Sequence, residues 1–435
     1  MIASPATGLV GILILFAMLA LGVPIGVALG LIGVGGTMLV LGIEPGLIKA
    51  GVIAFDTMTR YELGTLPLFL LVAHLCFSAD ASRDLFDAAA RLLGHRRGGL
   101  ALASVGGCAA FGAVNGSSLA TAATVGLVAL PEMRARGYSD SLATGTLAAG
   151  GTLGPLIPPS GALIVFGIIA EQSIGTLFTA AIIPALTQML LYMGAIAILV
   201  RLRPEIAPPT PRASWKARLE GIARVTDLLV LIVVMISGIA LGWFTPSEAA
   251  SIGCVGALLI ALRRGRLNRH TLFKALDETL RTSGMITLII IGALMFSVFI
   301  SITGITAAIG AFLQGLHAGP TVTMLAIAAI LLLLGSVLDG LALMLLTTPI
   351  LLPIVTGLHL SPIWFGIFLV RAMEIGFVHP PIGMNLYVIH GIAPDVPLGR
   401  IFRGVVPFLI ADLFHLLLII LLPSMVMFLP GLLAR

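Results

Sequence analysis

Gly150-Gly-Thr-Leu-Gly-Pro-Leu-Ile-Pro-Pro-Ser-Gly161 sits inside apolar sequence and cannot form a regular helix. Each proline lacks an N–H and collides with the carbonyl four residues back. Three prolines and four glycines among these twelve residues leave several backbone groups without helical partners. Within a bilayer such groups must be satisfied by protein, water or a bound ion.

The device occurs twice. Gly376-Phe-Val-His-Pro-Pro-Ile-Gly-Met-Asn385 repeats it, with Pro158-Pro159-Ser160-Gly161 matching Pro380-Pro381-Ile382-Gly383. Upstream, Asn115-Gly116 and Asp339-Gly340 precede the two copies at nearly the same distance. Phe178 and Pro184 follow the first copy much as Phe402 and Pro407 follow the second. Interrupted segments at corresponding places in two halves are the best sequence pointer to a secondary transporter's binding site.

Composition places the chain in a membrane. Its 435 residues are 59% hydrophobic and 10% charged, and the mean hydropathy is +1.14. A soluble protein carries about a quarter charged residues. The formal charge of +5 is no nucleic-acid footprint, because the basic residues fall in short loops between apolar runs. Cys76, Cys108 and Cys254 are isolated in apolar sequence and read as small buried hydrophobes. The first basic residue is Lys49, so the first apolar run lacks the n-region of a secretory signal and is expected to stay as a membrane helix.

Spans of about 20 apolar residues are expected at 7–22, 24–43 and 63–79, with a polar loop at 44–62. Residues 80–91 extend the third span as an amphipathic segment. Residues 100–131 carry Asn115-Gly116-Ser117-Ser118 near the middle, which predicts a re-entrant hairpin; one continuous helix with a polar face is the alternative. The interrupted span at 141–170 and a span at 177–200 complete the first half. A basic, proline-rich linker covers 201–226. The second half has spans at 227–243, 247–262 and 283–302, a hairpin at 321–354 with its tip near Asp339, an interrupted span at 362–392 and a last span at 405–429. The expected division is scaffold helices in 1–99 and 227–320, and transport elements in 100–200 and 321–435.

Placing loops 91–99, 132–140, 201–226, 263–282 and 393–404 in the cytoplasm collects every Lys and Arg except Lys49, Arg60, Arg83, Arg371 and Arg435. That asymmetry satisfies the positive-inside rule. It also sets the two halves in opposite orientations, with the Asn115 hairpin entering from the cytoplasm and the Asp339 hairpin from outside. The fold class is therefore an all-α membrane protein built as an inverted repeat, with two re-entrant hairpins and two broken helices.

A broken helix offers N–H groups and positive dipole at one end and free carbonyls at the other. Facing the breaks are oxygen donors: Asn115, Ser117 and Ser118 in one half, Asp339 in the other. Thr152 and Ser160 add hydroxyls, and Asn385 an amide. Hard cations such as sodium prefer such ligands. Asp339 costs at least ~2.5 kcal/mol at mid-membrane, which favours a functional reading over a helix-end residue reaching water. Arg371 and Glu374 lie three apart on one helical face and are expected to pair; Arg371 holding a substrate carboxylate is the alternative. His379 reads either as a proton-sensitive element or as a space-filling, hydrogen-bonded residue. No Walker sequence and no Gly-x-Ser-x-Gly elbow is present, which removes the commonest ATPase and hydrolase readings.

These residues carry a resemblance. Asn115-Gly-Ser-Ser-Leu-Ala-Thr-Ala-Ala-Thr-Val-Gly126, Leu130-Pro-Glu-Met-Arg-Ala-Arg-Gly-Tyr138, Ala143-Thr-Gly-Thr-Leu-Ala-Ala-Gly-Gly-Thr-Leu-Gly154, Glu171-Gln-Ser-Ile-Gly175, Asp339-Gly-Leu-Ala342 and Pro380-Pro-Ile-Gly-Met-Asn385 resemble the large membrane subunit of tripartite ATP-independent periplasmic (TRAP) transporters. The resemblance implies sodium-driven import of an organic acid across the bacterial inner membrane by an elevator motion. It implies two partners: a periplasmic substrate-binding protein and a small four-helix membrane subunit, here expected as a separate chain. By similarity one sodium site involves Asn115, Ser117, Ser118 and the 151–159 backbone, with Gly151, Thr152 and Pro158. The other involves Asp339, the 376–381 backbone, including Gly376 and His379, and Met384. Substrate would lie between the tips, near Ser117, Ser118, Pro159, Ser160, Asn385 and Arg371. The family commonly has Thr where this chain has His379, which points to a changed ligand set at the second ion site. A stand-alone elevator transporter of anions is the competing reading, and a membrane enzyme, lacking a catalytic constellation, a distant one.

Overall fold

The computed structural model describes residues 4–78, 81–315 and 319–433. The expected end of the third span at 79, position 80 of its extension and Arg435 lie outside them. Among the described residues the regular elements are helices, with no strand. The first half holds α1 (Pro5–Ala20), α2 (Ile25–Leu41), α3 (Ile43–Thr59), α4 (Thr65–Ser78) and α5 (Ala81–Leu93). The first hairpin is α6 (Gly99–Asn115) and α7 (Ser118–Ala135). The first broken helix is α8 (Asp140–Gly151) and α9 (Gly161–Ile169), followed by α10 (Ile174–Leu202). The second half runs α11 (Trp215–Ala240), α12 (Pro246–Arg263), α13 (Arg269–Thr303) and α14 (Ile305–Gly315). Its hairpin is α15 (Pro320–Gly335) and α16 (Gly340–Gly357), its broken helix α17 (Pro362–Gly376) and α18 (Met384–Ile392). Two helices close the chain, α19 (Leu398–Leu421) and α20 (Pro423–Leu433).

The packing exchanges partners between halves as an inverted repeat requires. Helix α2 lies on α13 while α4 lies on α12. Helix α1 meets α14, and α5 meets α11. The helix after each break packs against the opposite broken helix: α10 on α17, α19 on α8. The second arm of each hairpin does likewise, α7 on α18 and α16 on α9.

Small residues bring these helices to backbone contact. A Cβ on Gly145 would stand 2.2 Å from the Gly404 carbonyl, and one on Gly33 2.5 Å from the Met295–Phe296 backbone. Lipid is as apolar as leucine, so close packing of this kind, rather than the hydrophobic effect, holds membrane helices together. Among the described residues seven helices are long and apolar enough to cross a bilayer, or eight counting the α8–α9 pair, bent by 42°. Large apolar side chains such as Leu9, Leu13, Val230, Val233 and Leu259 stand exposed on outer faces, as a lipid-facing surface demands.

Three expectations are corrected. Residues 44–62 are not a polar loop, since α3 occupies most of them. Its exposed Ile48, Val52 and Phe55 repeat every three to four residues, a helical stripe obscured in the sequence by Glu44, Lys49 and Asp56. Helix α13 begins 14 residues before the expected 283, under an Asn268–Thr271 capping box, and α14 follows it unforeseen. The last span is two helices, because Pro423 cannot continue α19 and pushes Leu422 out of helical conformation (φ −125°, ψ 67°).

Candidate functional site

The first hairpin tip rests on the first break. Gly116 ends α6 at φ +61°, a left-handed turn suited to glycine. A Cβ there would meet the Gly161 nitrogen at 3.1 Å and the Pro159 carbonyl at 3.4 Å. Ser117 caps α7, its hydroxyl accepting from the Ala120 N–H at 3.4 Å. The Ser117 carbonyl and Thr121 hydroxyl face Gly154, 3.3 and 3.2 Å from where its Cβ would be. One step on, the Asn385 amide donates to the Ser118 hydroxyl at 2.9 Å and to the Ala148 carbonyl at 3.0 Å. A Cβ on Gly151 would fall 2.8 Å from the Ser118 carbonyl and 3.0 Å from that amide nitrogen. Thus Asn115, Ser117, Ser118, Gly151, Pro159, Ser160 and Asn385 converge as expected, drawn from α6, α7, α8, α9 and α18. The Asn115 amide nitrogen and the Asn385 amide oxygen are buried without partners.

Two expected hydroxyls are already engaged. Ser160 caps α9, accepting from Leu163 N–H at 3.3 Å, and donates back to the Pro155 carbonyl. The Thr152 hydroxyl turns away from the hairpin. It lies 2.7 Å from the Tyr192 hydroxyl, and Gln188 donates to both at 3.1 and 3.2 Å.

The second break is arranged differently. Asp339 caps α16, its carboxylate accepting from Leu341 and Ala342 N–H at 3.1 and 3.4 Å, and it is exposed. A Cβ on Gly340 would meet Met373 at 2.8 Å and Phe377 at 3.0 Å, so this tip lies on the end of α17. Gly376 and Phe377 carbonyls accept from His379 and Asn385 N–H at 3.3 and 3.0 Å. Pro380 and Pro381 are exposed, His379 and Met384 half-buried. Both Pro-Pro bonds, 158–159 and 380–381, are cis.

The expected Arg371–Glu374 pair does not form. Arg371 is fully buried and bonds the Asp412 carboxylate through one guanidinium nitrogen. Its Nε donates to His415 Nδ1 at 3.0 Å, and His415 Nε2 lies 2.9 Å from the Thr187 hydroxyl. Tyr192 faces both Asp412 and Arg371. A buried polar network therefore runs from Thr152 on the first broken helix to Arg371 on the second, through α10 and α19. It leaves Arg371 engaged within the core rather than facing a substrate space.

Residues 12–425 match the family described as "Tripartite ATP-independent periplasmic transporter, DctM component". The chain belongs to this family. It is 35% identical over 404 residues to the C4-dicarboxylate TRAP transporter large permease protein DctM of Pseudomonas aeruginosa, covering 92% of this chain and 93% of that one. It is 30% identical over 412 residues to the sialic acid TRAP transporter large permease protein SiaM of Vibrio cholerae, covering 94% and 95%. Its fold is similar to the crystal structure of the Alcanivorax borkumensis YdaH transporter, with TM-score 0.62 and 17% identity over 87% of this chain and 89% of that one; this likeness concerns the fold alone. The TRAP permease is thus a multi-pass inner-membrane transporter component and not an enzyme.

Reading the sequence missed Glu374 as an unpaired group, and Asp412, His415, Tyr192 and Gln188 altogether. A signal was available: Asp412 and His415 stand three apart inside an otherwise apolar span, and ionisable residues there are functional or paired by default. Among the described residues no group of three His, Cys, Asp or Glu could hold a metal ion, so a cation site among them would draw most of its ligands from hydroxyl, amide and carbonyl oxygens, with at most one or two carboxylates. A cleft of about 1070 Å³ bordered by Arg60, Glu171, Gln172 and Thr245 opens near the ends of α4, α9 and α11, apart from both breaks. Arg60 and Glu171 are bonded across it at 2.9 Å.

Proposed function

We propose that this permease is the large membrane subunit of a sodium-coupled, binding-protein-dependent importer of a small organic acid, working by an elevator motion. Its partners are a small four-helix membrane subunit and a periplasmic binding protein. The single observation that carries the reading is the pairing of each break with the tip of a hairpin inside one inverted repeat. Such breaks present uncompensated backbone dipoles to ions and substrate at membrane depth. The donor set supports sodium: at the first break the Ser117 and Ser118 carbonyls face the hydrogen-only sides of Gly154 and Gly151. A side chain at Gly151 would fill that space. The relatives named for C4-dicarboxylates and sialic acid take carboxylates, and the same substrate class suits this chain. Residues for the two sodium positions are Asn115, Ser117, Ser118 and the 151–159 backbone, then Asp339, the 376–381 backbone, including His379, and Met384. Bound sodium would supply positive charge beside an anionic substrate placed between the tips.

The test is uptake into proteoliposomes holding the complex, with the binding protein outside and with or without an inward sodium gradient. Uptake requiring both sodium and binding protein is the expected result. Sodium-dependent uptake without the binding protein would replace it with a stand-alone transporter. Uptake following a proton gradient instead would redirect attention to His379.

A further inference from the structure

Glu374 lies on α17, within one turn of the second break, and is fully buried. Neither carboxylate oxygen accepts a well-aligned hydrogen bond, although the Ser118 hydroxyl lies close enough to interact with it. Arg371 is close enough to act on it electrostatically, yet its guanidinium bonds Asp412 and His415 instead. This part of the core therefore holds one guanidinium and two carboxylates, Asp412 matched and Glu374 not. Asp339, at the second hairpin tip, adds further negative field. An uncompensated buried charge costs several kcal/mol, and inside a membrane an unpaired carboxylate marks an ion path.

The groups around Glu374 are oxygen donors. The Ser118 hydroxyl is the polar side chain beside it. The Asn385 amide bonds that same hydroxyl through nitrogen, leaving its buried oxygen unpartnered. Gly151 keeps the junction open, since a Cβ would strike the Ser118 carbonyl at 2.8 Å.

We infer that Glu374, Ser118 and Asn385 form a further sodium position between the two at the hairpin tips, sharing Ser118 with the first and set apart from both by Glu374 and Asn385. Carboxylate, hydroxyl and amide oxygens are the hard ligands an alkali cation takes. The three come from α17, α7 and α18, so an ion there joins the first hairpin to the second broken helix. Its single positive charge cancels the one unmatched carboxylate.

The inference rests on the sodium-coupled reading and is tested by binding rather than transport. Purified permease in lipid nanodiscs is titrated with radioactive sodium, and its thermal midpoint is compared in sodium and choline chloride. Glu374→Gln is expected to bind one fewer sodium ion per chain and to lose part of the sodium-specific stabilisation. Glu374→Asp should keep the ion count with weaker affinity. If Glu374→Gln does not fold, Asn385→Ala, which removes the amide oxygen and touches neither tip site, should weaken one class of sites several-fold. An unchanged sodium isotherm in Glu374→Gln or, failing that variant, in Asn385→Ala overturns the inference, because the carboxylate is then neutralised another way. Saturable sodium binding in the wild type that falls in Asp339→Asn but not in Glu374→Gln would leave the sodium-coupled reading standing and sink this one alone. No saturable sodium binding in the wild type would overturn both.

Discussion

The two breaks share a motif and differ in enclosure. At the first, Thr152 through Leu156 and Pro158 through Ser160 are buried, and Gly116 of the hairpin tip sits on them. At the second, Pro380, Pro381 and Asp339 are exposed. Ser160 and Ile382 occupy equivalent places after the prolines. Serine caps α9 there, so the helix restarts at once at Gly161. Isoleucine cannot cap. The chain runs one residue further, turns at Gly383 with φ +65°, and α18 begins at Met384 with no side-chain cap. Duplication thus sets where the chain breaks, while the two copies differ in whether the residue after the prolines caps the helix that follows. A closed half and an open half in one conformation suit a transporter that binds its ligands in sequence.

The largest expected effect comes from cutting the network that ties the two breaks together. Asp412→Ala leaves Arg371 buried without its carboxylate, which should destabilise the protein by about 3–5 kcal/mol. The double variant Arg371→Met/Asp412→Leu removes both charges and should recover most of that loss. Thermal unfolding in detergent, read for both single variants and the pair, checks it. Equal damage in the double variant would mean that the network matters through shape and not through charge.

Next come the glycine contacts between hairpin and break. Both halves use one: a Cβ on Gly112 would lie 2.5 Å from Gly154 Cα, and one on Gly376 2.5 Å from the Gly335 carbonyl carbon. Gly112→Val and Gly376→Val should each cost about 1–3 kcal/mol through overpacking. Gly106, on the same helix as Gly112, has nothing within 4 Å of its would-be Cβ. Gly106→Ala should therefore be neutral or stabilise by up to about 1 kcal/mol. If the open half is the one that moves, Gly376→Val should also reduce transport more than Gly112→Val at equal loss of stability.

Much of this was legible in the chain. Proline and glycine act locally, so both breaks and both tips could be located without tertiary information. The approach of Ser118 to Gly151 followed from pairing each tip with a break, while that of Asn385, which lies at the other break, came only with the family resemblance. The partner of Arg371 did not follow, because it depends on which face of α17 meets α19. A spacing of three made Glu374 the natural choice, and only the packing shows Asp412 taking its place. Helix α3 escaped because three charges interrupt its apolar stripe. Twofold symmetry hid the difference between the breaks: the motifs match, and the consequence of Ile382 appears only as backbone.

The cap itself gives a smaller effect. Ser160→Ala removes the acceptor for Leu163 N–H and should cost about 0.5–2 kcal/mol. The converse, Ile382→Ser, should give nothing back, because residue 382 lies one position before the α18 cap. A gain in stability from Ile382→Ser would show that α18 can restart earlier and that the openness of the second break is set by side chain alone.

The smallest effect belongs to the clasp that joins the approaches to the two breaks. Arg134, just before α8, bonds Asp140 at 2.9 Å and Asp395, just after α18, at 2.8 Å. The hydrogen bonds from Arg134 hold the Asp395 carboxyl below the usual carboxylate range. A depressed folded-state value means the clasp contributes fully above the unfolded carboxylate pKa of about 3.9 and fades as pH falls through the lowered value. Asp395→Asn should therefore lower the thermal midpoint slightly at pH 7, and equally at pH 6 and 8. The gap to wild type should close only in acid. Salt should narrow it as well, since an exposed pair is screened beyond a Debye length of about 10 Å at 0.1 M. A gap that opened between pH 6 and 8 would assign the effect to a histidine and not to Asp395, and would mean that the two approaches are coupled through some other contact.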